Sequence, residues 1–396
     1  MQYREDKRSG NKLSILGFGC MRFPNRMGVI DQEAAESLIL QAYERGVNYY
    51  DTAYAYPGSE EALGKALAKH GLRDKVHVVS KLPHSKTKSI DDVERFFTTS
   101  LKRLQTDYLD YYLIHNIVDS VQWQRLVDMG IEQWIAGKKA TGAIRNIGFS
   151  FHGSLEEFKA TLSAYDWDIV QIQYNYMNEH YQAGCDGLHF AAERGIPVVI
   201  MEPLLGGKLA TGLPETARKA FALVEPDRHP ATWGLRWLWD QPEVTVVLSG
   251  MNDPAQMEGN CTAADEAVPG CLSLDERAAY EVVREEFGKS YKVPCTGCNY
   301  CMPCPKGISI PACFAAYNTS YSIDWMTGMM GYLTSVGANG QDLHLVSDCV
   351  ECGACKKKCP QHIDVPEELK EVRKRLQPNP FGTVLKAYSR FPFKIV

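Results

Sequence analysis

A chain of 396 residues, 45% hydrophobic and 23% charged, has the makeup of a globular protein, and its length suits one large domain plus a smaller module. A net charge of −5 offers nothing to nucleic acid or an anionic membrane surface, the first residues are too charged for a signal peptide, and no apolar run reaches spanning length. Eight of the thirteen cysteines fall into two tight groups near the C-terminus, which argues against a secreted disulfide scaffold and for a reducing, cytoplasmic setting.

Residues 1–13 read as a polar hairpin able to plug a barrel floor, and Ser14 to Phe18 as a first strand. After it, Gly19-Cys20-Met21 lets backbone come close to whatever lies at the strand end, so Gly19 and Met21 are candidate cofactor contacts. A helix is predicted over Gln32–Arg45 from the helical spacing of its apolar positions, with Gly46 as its stop. Strand two, Val47–Tyr50, empties into a polar turn carrying Asp51 and Tyr56. A helix over Ser59–His70 leads to strand three, Val76–Ser80, which delivers Lys81. A helix over Asp91–Leu104 leads to strand four, Tyr108–Ile114, which delivers His115. Further strands are predicted at Ile144–Phe149, Ile169–Gln173, Pro197–Met201 and Thr245–Leu248. Eight strand–helix units in about 270 residues are what a (β/α)8 TIM barrel requires, and such barrels place their chemistry just past the strand ends.

Asp51, Tyr56, Lys81 and His115 therefore converge on one face and form a complete proton-transfer unit. Reducing a carbonyl needs a hydride on carbon and a proton on oxygen. Tyr56 is the candidate acid, but a free phenol, pKa near ~10, holds its proton too tightly. The Lys81 ammonium would favour the phenolate, Asp51 would keep Lys81 charged and fixed, and His115 would orient and polarise the substrate oxygen. A buried structural Asp–Lys pair with an unrelated tyrosine is the plainer alternative. The hydride has to come from a cofactor, since side chains cannot supply one, and no Gly-x-Gly-x-x-Gly follows the first strand.

Leu16-Gly17-Phe18-Gly19-Cys20-Met21-Arg22 and Gly46-Val47-Asn48-Tyr49-Tyr50-Asp51-Thr52-Ala53 through Tyr56 resemble the aldo-keto reductase family, and the resemblance runs on to Asn260. It implies NADP or NAD lying across the barrel mouth. Ser150 and Gln171 then map to the carboxamide, and Pro203, Leu204 and Gly207 to the pyrophosphate loop. Ser249, Gly250, Met251, Gln256 and Asn260 map to the adenine nucleotide end, where a helix start after Pro254 suits a phosphate. Two departures stand out. Met201-Glu202 occupies the place where many relatives stack a tyrosine on the nicotinamide. Gly250 and Gln256 occupy positions where relatives gripping a 2′-phosphate carry cations, so the resemblance does not decide between NADP and NAD. His152 follows Ser150-Phe151 where Asn-Phe is usual, leaving both a ligand contact and a structural role open.

The second strong signal is Cys295-x2-Cys298-x2-Cys301-x2-Cys304-Pro305, followed by Cys349-x2-Cys352-x2-Cys355-x3-Cys359-Pro360. The second run has ferredoxin spacing, in which three thiolates hold one iron–sulfur cube and the fourth crosses to the other; the first is one residue shorter before Cys304. Paired Cys-x2-Cys also suits zinc, but four thiolates per run with Cys-Pro endings favour two [4Fe–4S] clusters. Cys313 is a reserve ligand, and Cys20, Cys185, Cys261 and Cys271 read as ordinary thiols. The stretch 306–348 reads as helical, with its Met and aromatic residues in the core. Lys356-Lys357-Lys358 reads first as a solvated face offsetting an anionic cluster, and second as a lure for an acidic redox partner. Some members of the family resemble this chain in carrying a ferredoxin-type domain after the barrel.

The expected organisation is a barrel over 1–288 and a small, mainly helical two-cluster domain over 289–396. The expected function is NAD(P)-dependent interconversion of a small-molecule carbonyl and alcohol, with clusters that relay electrons or staple the domain. A ferredoxin or flavoprotein is a possible redox partner. One alternative is an electron-transfer subunit docking on a flavoprotein with the barrel as scaffold; no flavin signature is present in the chain. The other is a redox-sensing binding module. Substrate choice is expected in Pro83–Ser89, Asn116–Gln122 and the segment after Gly331.

Overall fold

The computed structural model describes residues 1–338 and 342–389. The part of the expected substrate segment after Gly331 that falls at 339–341 lies outside the described residues. The chain folds into two compact units, Met1–Pro203 with Ala231–Leu272, and Leu204–Pro230 with the described residues from Ser273 onward. This division differs from a single cut at residue 288.

The first unit is a closed barrel of eight parallel strands: β1 Leu16–Gly19, β2 Tyr49–Asp51, β3 His77–Leu82, β4 Leu109–Ile117, β5 Ile144–Phe151, β6 Ile169–Gln173, β7 Val198–Met201 and β8 Val244–Ser249. Each pairs with its neighbours in sequence, and β8 closes on β1 with Val247 opposite Leu16. The barrel is filled by a buried layer that includes Leu13, Tyr49, Val79, Tyr111, Ile169 and Val246. Close strand approach is built in at Gly148 of β5, where a Cβ would stand 2.2 Å from the Ile169 carbonyl oxygen of β6. The helix Gln32–Glu44 begins on the Asp31 side chain and buries Ala35, Leu38, Ile39 and Ala42. It stops where Gly46 takes φ +88°.

Two sequence expectations shift. Lys12–Ser14 pairs antiparallel with Tyr3–Glu5, so the first barrel strand starts at Leu16 rather than Ser14. That hairpin carries the expected plug: buried Asp6 accepts from the Tyr111 hydroxyl at 2.7 Å, and Asn11 donates to the same hydroxyl at 3.0 Å. The Arg4 guanidinium donates to the carbonyls of Trp239, Gln241 and Val244 at the start of β8. Finally, β3 and β4 run on past Lys81 and His115, so both lie within the strand ends rather than after them.

The second unit is helical. Leu274–Ser290 starts on a capping box between Ser273 and Glu276, and Arg228 forms an ion pair with Glu276. Helices Ile310–Ser322, Trp325–Ser335 and Val365–Leu376 enclose a core containing Phe314, Tyr332, Leu345, Leu369 and Val372. The Met and aromatic residues of 306–348 divide: Met329 and Tyr332 are in that core, whereas Trp325, Met326 and Met330 are 44%, 61% and 59% exposed. Among the described residues, no helix is long and apolar enough to cross a membrane.

Candidate functional site

The C-terminal ends of β2, β3 and β4 bring Asp51, Lys81 and His115 together, all buried. Lys81 Nζ donates to Asp51 Oδ1 at 2.5 Å and to the Thr52 carbonyl at 2.8 Å. The other oxygen of Asp51 accepts from Gln171 Nε2 of β6 at 3.0 Å. Tyr56, on the turn after β2, has its ring centroid 5.3 Å from Lys81 Nζ and stands edge-on to His115 at 5.7 Å between centroids. Burial, and then the Lys81 charge with His152 and His84 nearby, hold His115 well below the usual imidazole range. Its ring is accordingly neutral at pH 7. Cys20, buried after β1, has its thiol pushed well up by burial and then by Asp51.

The next residue, Asn116, takes φ +62° and is held from two sides. Its N–H donates to Ser150 Oγ at 2.8 Å, and its carbonyl lies 3.4 Å from His84 Nε2. Arg125 donates to the His84 carbonyl at 2.7 Å and to its Nδ1 at 3.3 Å, which leaves the Nε2 hydrogen facing Asn116. Burial lowers the His84 pKa to about 4. His84 and Arg125 carry no motif, and only the tertiary fold brings His84 near His115 and Arg125 onto His84. His152 is buried at the end of β5.

The expected nucleotide contacts divide by unit. Gly19 ends β1 close against the Ser249 carbonyl of β8, and Met21 lies in the turn after it; Met201 ends β7 and Pro203 follows it. Ser249 Oγ accepts from Asn260 Nδ2 at 3.1 Å. The helix Pro254–Asp265 starts as expected, but the Asp253 carboxylate caps it, accepting from the N–H groups of Ala255 at 2.8 Å and Gln256 at 3.3 Å. Those two donors are therefore not open to a phosphate, because an acidic cap has taken them. Met251 is buried, and the Gln256 side chain turns to the Asn252 N–H. The carbon stem of Arg22 packs along Gly250, bringing to this end a cation absent from the expected contacts. Leu204 and Gly207 belong to the second unit, where Gly207 takes φ +94° ahead of the short helix Lys208–Thr211.

Also in the second unit, the eight clustered cysteines line two cavities. One is lined by Cys295, Cys298, Cys301 and Cys359, the other by Cys304, Cys349, Cys352 and Cys355, with Cys301 on their shared edge. Each cavity thus takes three thiols from one run and one from the other. Burial pushes the Cys295 thiol up to about 11 and the Cys301 thiol up to about 12, with Cys298 and Cys359 adding to both. Clustered thiols of this kind are protonated unless a metal compensates them, and four around one cavity fit a cubane cluster. Cys313 lines neither cavity; it is buried in the helical core beside Ser335.

A parallel barrel with a buried Asp–Lys pair, a tyrosine and a histidine at its strand ends, joined to a thiol-rich helical unit, defines an oxidoreductase class with an iron–sulfur module. The Aldo/keto reductase family model matches residues 15–269, and a 4Fe-4S dicluster domain model matches residues 294–363. Protein tas of Escherichia coli is 33% identical over 359 residues, covering 74% of this chain and 100% of that protein. A probable voltage-gated potassium channel subunit beta of Arabidopsis thaliana is 25% identical, covering 67% of this chain and 92% of its own length. The structure of an aldo-keto reductase from Klebsiella pneumoniae in complex with NADPH aligns with a TM-score of 0.59 at 25% identity, covering 72% of this chain and 95% of that one. The chain belongs to the aldo-keto reductase family and carries a C-terminal 4Fe-4S dicluster domain.

Proposed function

We propose that the barrel is an NAD(P)-dependent reductase interconverting a small-molecule carbonyl and its alcohol. The observation that carries this is the buried Lys81–Asp51 pair beside Tyr56, with a neutral His115 edge-on to the same ring. A bound nicotinamide supplies the hydride to the carbonyl carbon. Tyr56 gives its hydroxyl proton to the carbonyl oxygen, and the Lys81 ammonium stabilises the phenolate left behind. Asp51, tied to Gln171 on its other oxygen, keeps Lys81 charged and in place. His115, held neutral by burial, donates a hydrogen bond that orients the substrate oxygen; it carries no second proton to give. That division of labour leaves Tyr56 as the acid. NADPH in the Klebsiella relative supports the cofactor class, and Gly19, Met21, Ser249, Gly250 and Asn260 are this unit's candidates to hold it.

Two [4Fe–4S] clusters with crossed ligands are proposed for the helical unit, supported by the two four-thiol cavities and by the dicluster model. Such clusters pass single electrons. The reading extends to a cytoplasmic protein with a barrel and a cluster domain as separate working parts. A second reading, a barrel kept as a regulatory subunit, is favoured by the likeness to a channel beta subunit.

Tyr56→Phe separates the two. The variant should lose about 10²–10⁴ in kcat while its cofactor dissociation constant stays within about twofold, because only the transition state loses a proton donor. Retention of most of the turnover would remove Tyr56 from the mechanism. Anaerobic titration with NADH and NADPH, following nicotinamide and cluster absorbance together, reads whether hydride and electron chemistry are linked.

A further inference from the structure

Cys352 stands apart from the other cysteines of the chain: it alone is exposed. Around it lie Val350, 56% exposed, and the exposed lysines Lys306, Lys357 and Lys358. Lys306 and Lys358 line the mouth of the cavity holding Cys304, Cys349, Cys352 and Cys355, and Lys357 shares the short turn Lys356–Lys358. The nearby carboxylates are already engaged, Asp364 with Lys356 at 2.6 Å and Glu351 with Lys370 at 3.2 Å. Lys306, Lys357 and Lys358 form no ion pair among the described residues. A chain of net charge −5 thus presents a local positive rim around the point where a cavity thiol meets solvent.

We propose that this rim is the docking face for an acidic one-electron carrier protein. The proposal rests on the two-cluster reading above. An exposed apolar residue inside a ring of charge is how electron-transfer partners meet: a small dry contact at the centre and steering from the rim. Lysines serving only to offset a buried cluster would gain most by turning inward, since exposed charges are screened within about 10 Å at 0.1 M salt. These three are exposed, Lys306 and Lys358 at the cavity mouth itself, so their charge is also open to a partner. The exchange itself makes and breaks no covalent bond: one electron leaves the reduced carrier, and the centre at Cys352 is reduced by one.

The test uses the whole protein, prepared without oxygen, with reduced flavodoxin as the acidic probe and cytochrome c, compared by its binding in calorimetry alone, as the basic control. The second-order rate of cluster reduction by flavodoxin should fall at least about tenfold between about 20 mM and about 500 mM salt. Lys357→Glu/Lys358→Glu should lower that rate about tenfold or more and weaken flavodoxin binding by calorimetry. Lys306→Glu, which lies outside the second cysteine run, should act in the same direction. Iron content and the paramagnetic resonance signal of the reduced clusters monitor cluster integrity in each variant. Intact clusters with a rate and affinity indifferent to salt and charge reversal overturn the docking face, as does cytochrome c engaging it equally well. Absence of the second cluster's iron overturns the two-cluster reading itself, and the docking face with it.

Discussion

Lys81 has no exposed surface, and a buried ammonium is tolerated only because Asp51 and the Thr52 carbonyl take its hydrogens. The arrangement ties charge and position to one pair, so neither partner can be changed without stranding the other. At the nucleotide end the balance is different. Gly250 and Gln256 carry no charge, Asp253 adds a negative one, and Arg22 is the cation packed alongside. We expect dissociation constants for NADPH and NADH that differ by less than about a hundredfold, roughly 2.7 kcal/mol. Arg22→Gln should bring the two closer still, since the guanidinium is the group able to favour an extra phosphate. Fluorescence titration of both nucleotides checks this; a larger gap, or one unchanged in the variant, removes Arg22 from that role.

Among the elements, β5 and β6 pack so closely at Gly148 that any side chain there must displace backbone. Gly148→Ala should therefore destabilise the barrel by about 1–3 kcal/mol, read as a lowered urea midpoint. The two cysteine runs make a sharper case. Because the cavities mix runs, Cys304→Ser should damage the cluster held with Cys349, Cys352 and Cys355, and Cys359→Ser the one held with Cys295, Cys298 and Cys301. Paramagnetic resonance of the reduced variants distinguishes the two signals. If Cys304→Ser instead spoils the first run's cluster, ligation is local. Iron and sulfide near eight each per chain are expected, while bound zinc or only about four irons would contradict two clusters.

For the molecule as a whole, acid stability follows from the imidazoles kept neutral beside the site. Burial lowers His84 to about 4; the Asn116 carbonyl opposes this, Arg125 adds to it and Asp119 opposes it. His115 is lowered too, chiefly by burial. The unfolded chain binds these protons near pH ~6.5 and the folded chain only below that. The contribution of His84 is thus complete above pH ~6.5 and is lost as pH falls toward about 4, on the order of 3 kcal/mol, and His115 acts in the same direction. The urea midpoint of the barrel, followed by tryptophan fluorescence, should fall over that range. His84→Gln should flatten the fall, and an unchanged slope would mean His84 is not the group responsible. Tryptophan reports the barrel because Trp123, Trp134, Trp167, Trp233, Trp237 and Trp239 lie in the first unit, leaving only Trp325 in the second.

The amino-acid sequence by itself determined the eight-stranded barrel, the order of its strands and the presence of a thiol-rich module. These depend on local quantities: alternation of apolar runs, helical spacing as in Ala35, Leu38, Ile39 and Ala42, stops such as Gly46, and the rhythm of Cys-x2-Cys. It also named the strand ends on which Asp51, Lys81 and His115 stand together. Only the tertiary structure decided what depends on residues far apart in the chain. The plug of Asp6 and Asn11 on Tyr111, the hold of His84 and Ser150 on Asn116, and the stem of Arg22 along Gly250 leave no periodic trace. The acidic cap of Asp253 closed donors that a helix start alone would leave open, a matter of where one side chain turns. Exposure was equally hidden: three of the Met and aromatic residues read as core face water, and Cys352 alone among thirteen cysteines is fully exposed rather than buried or half-buried. Burial is a property of the packed whole, and spacing along the chain constrains it only where one face repeats.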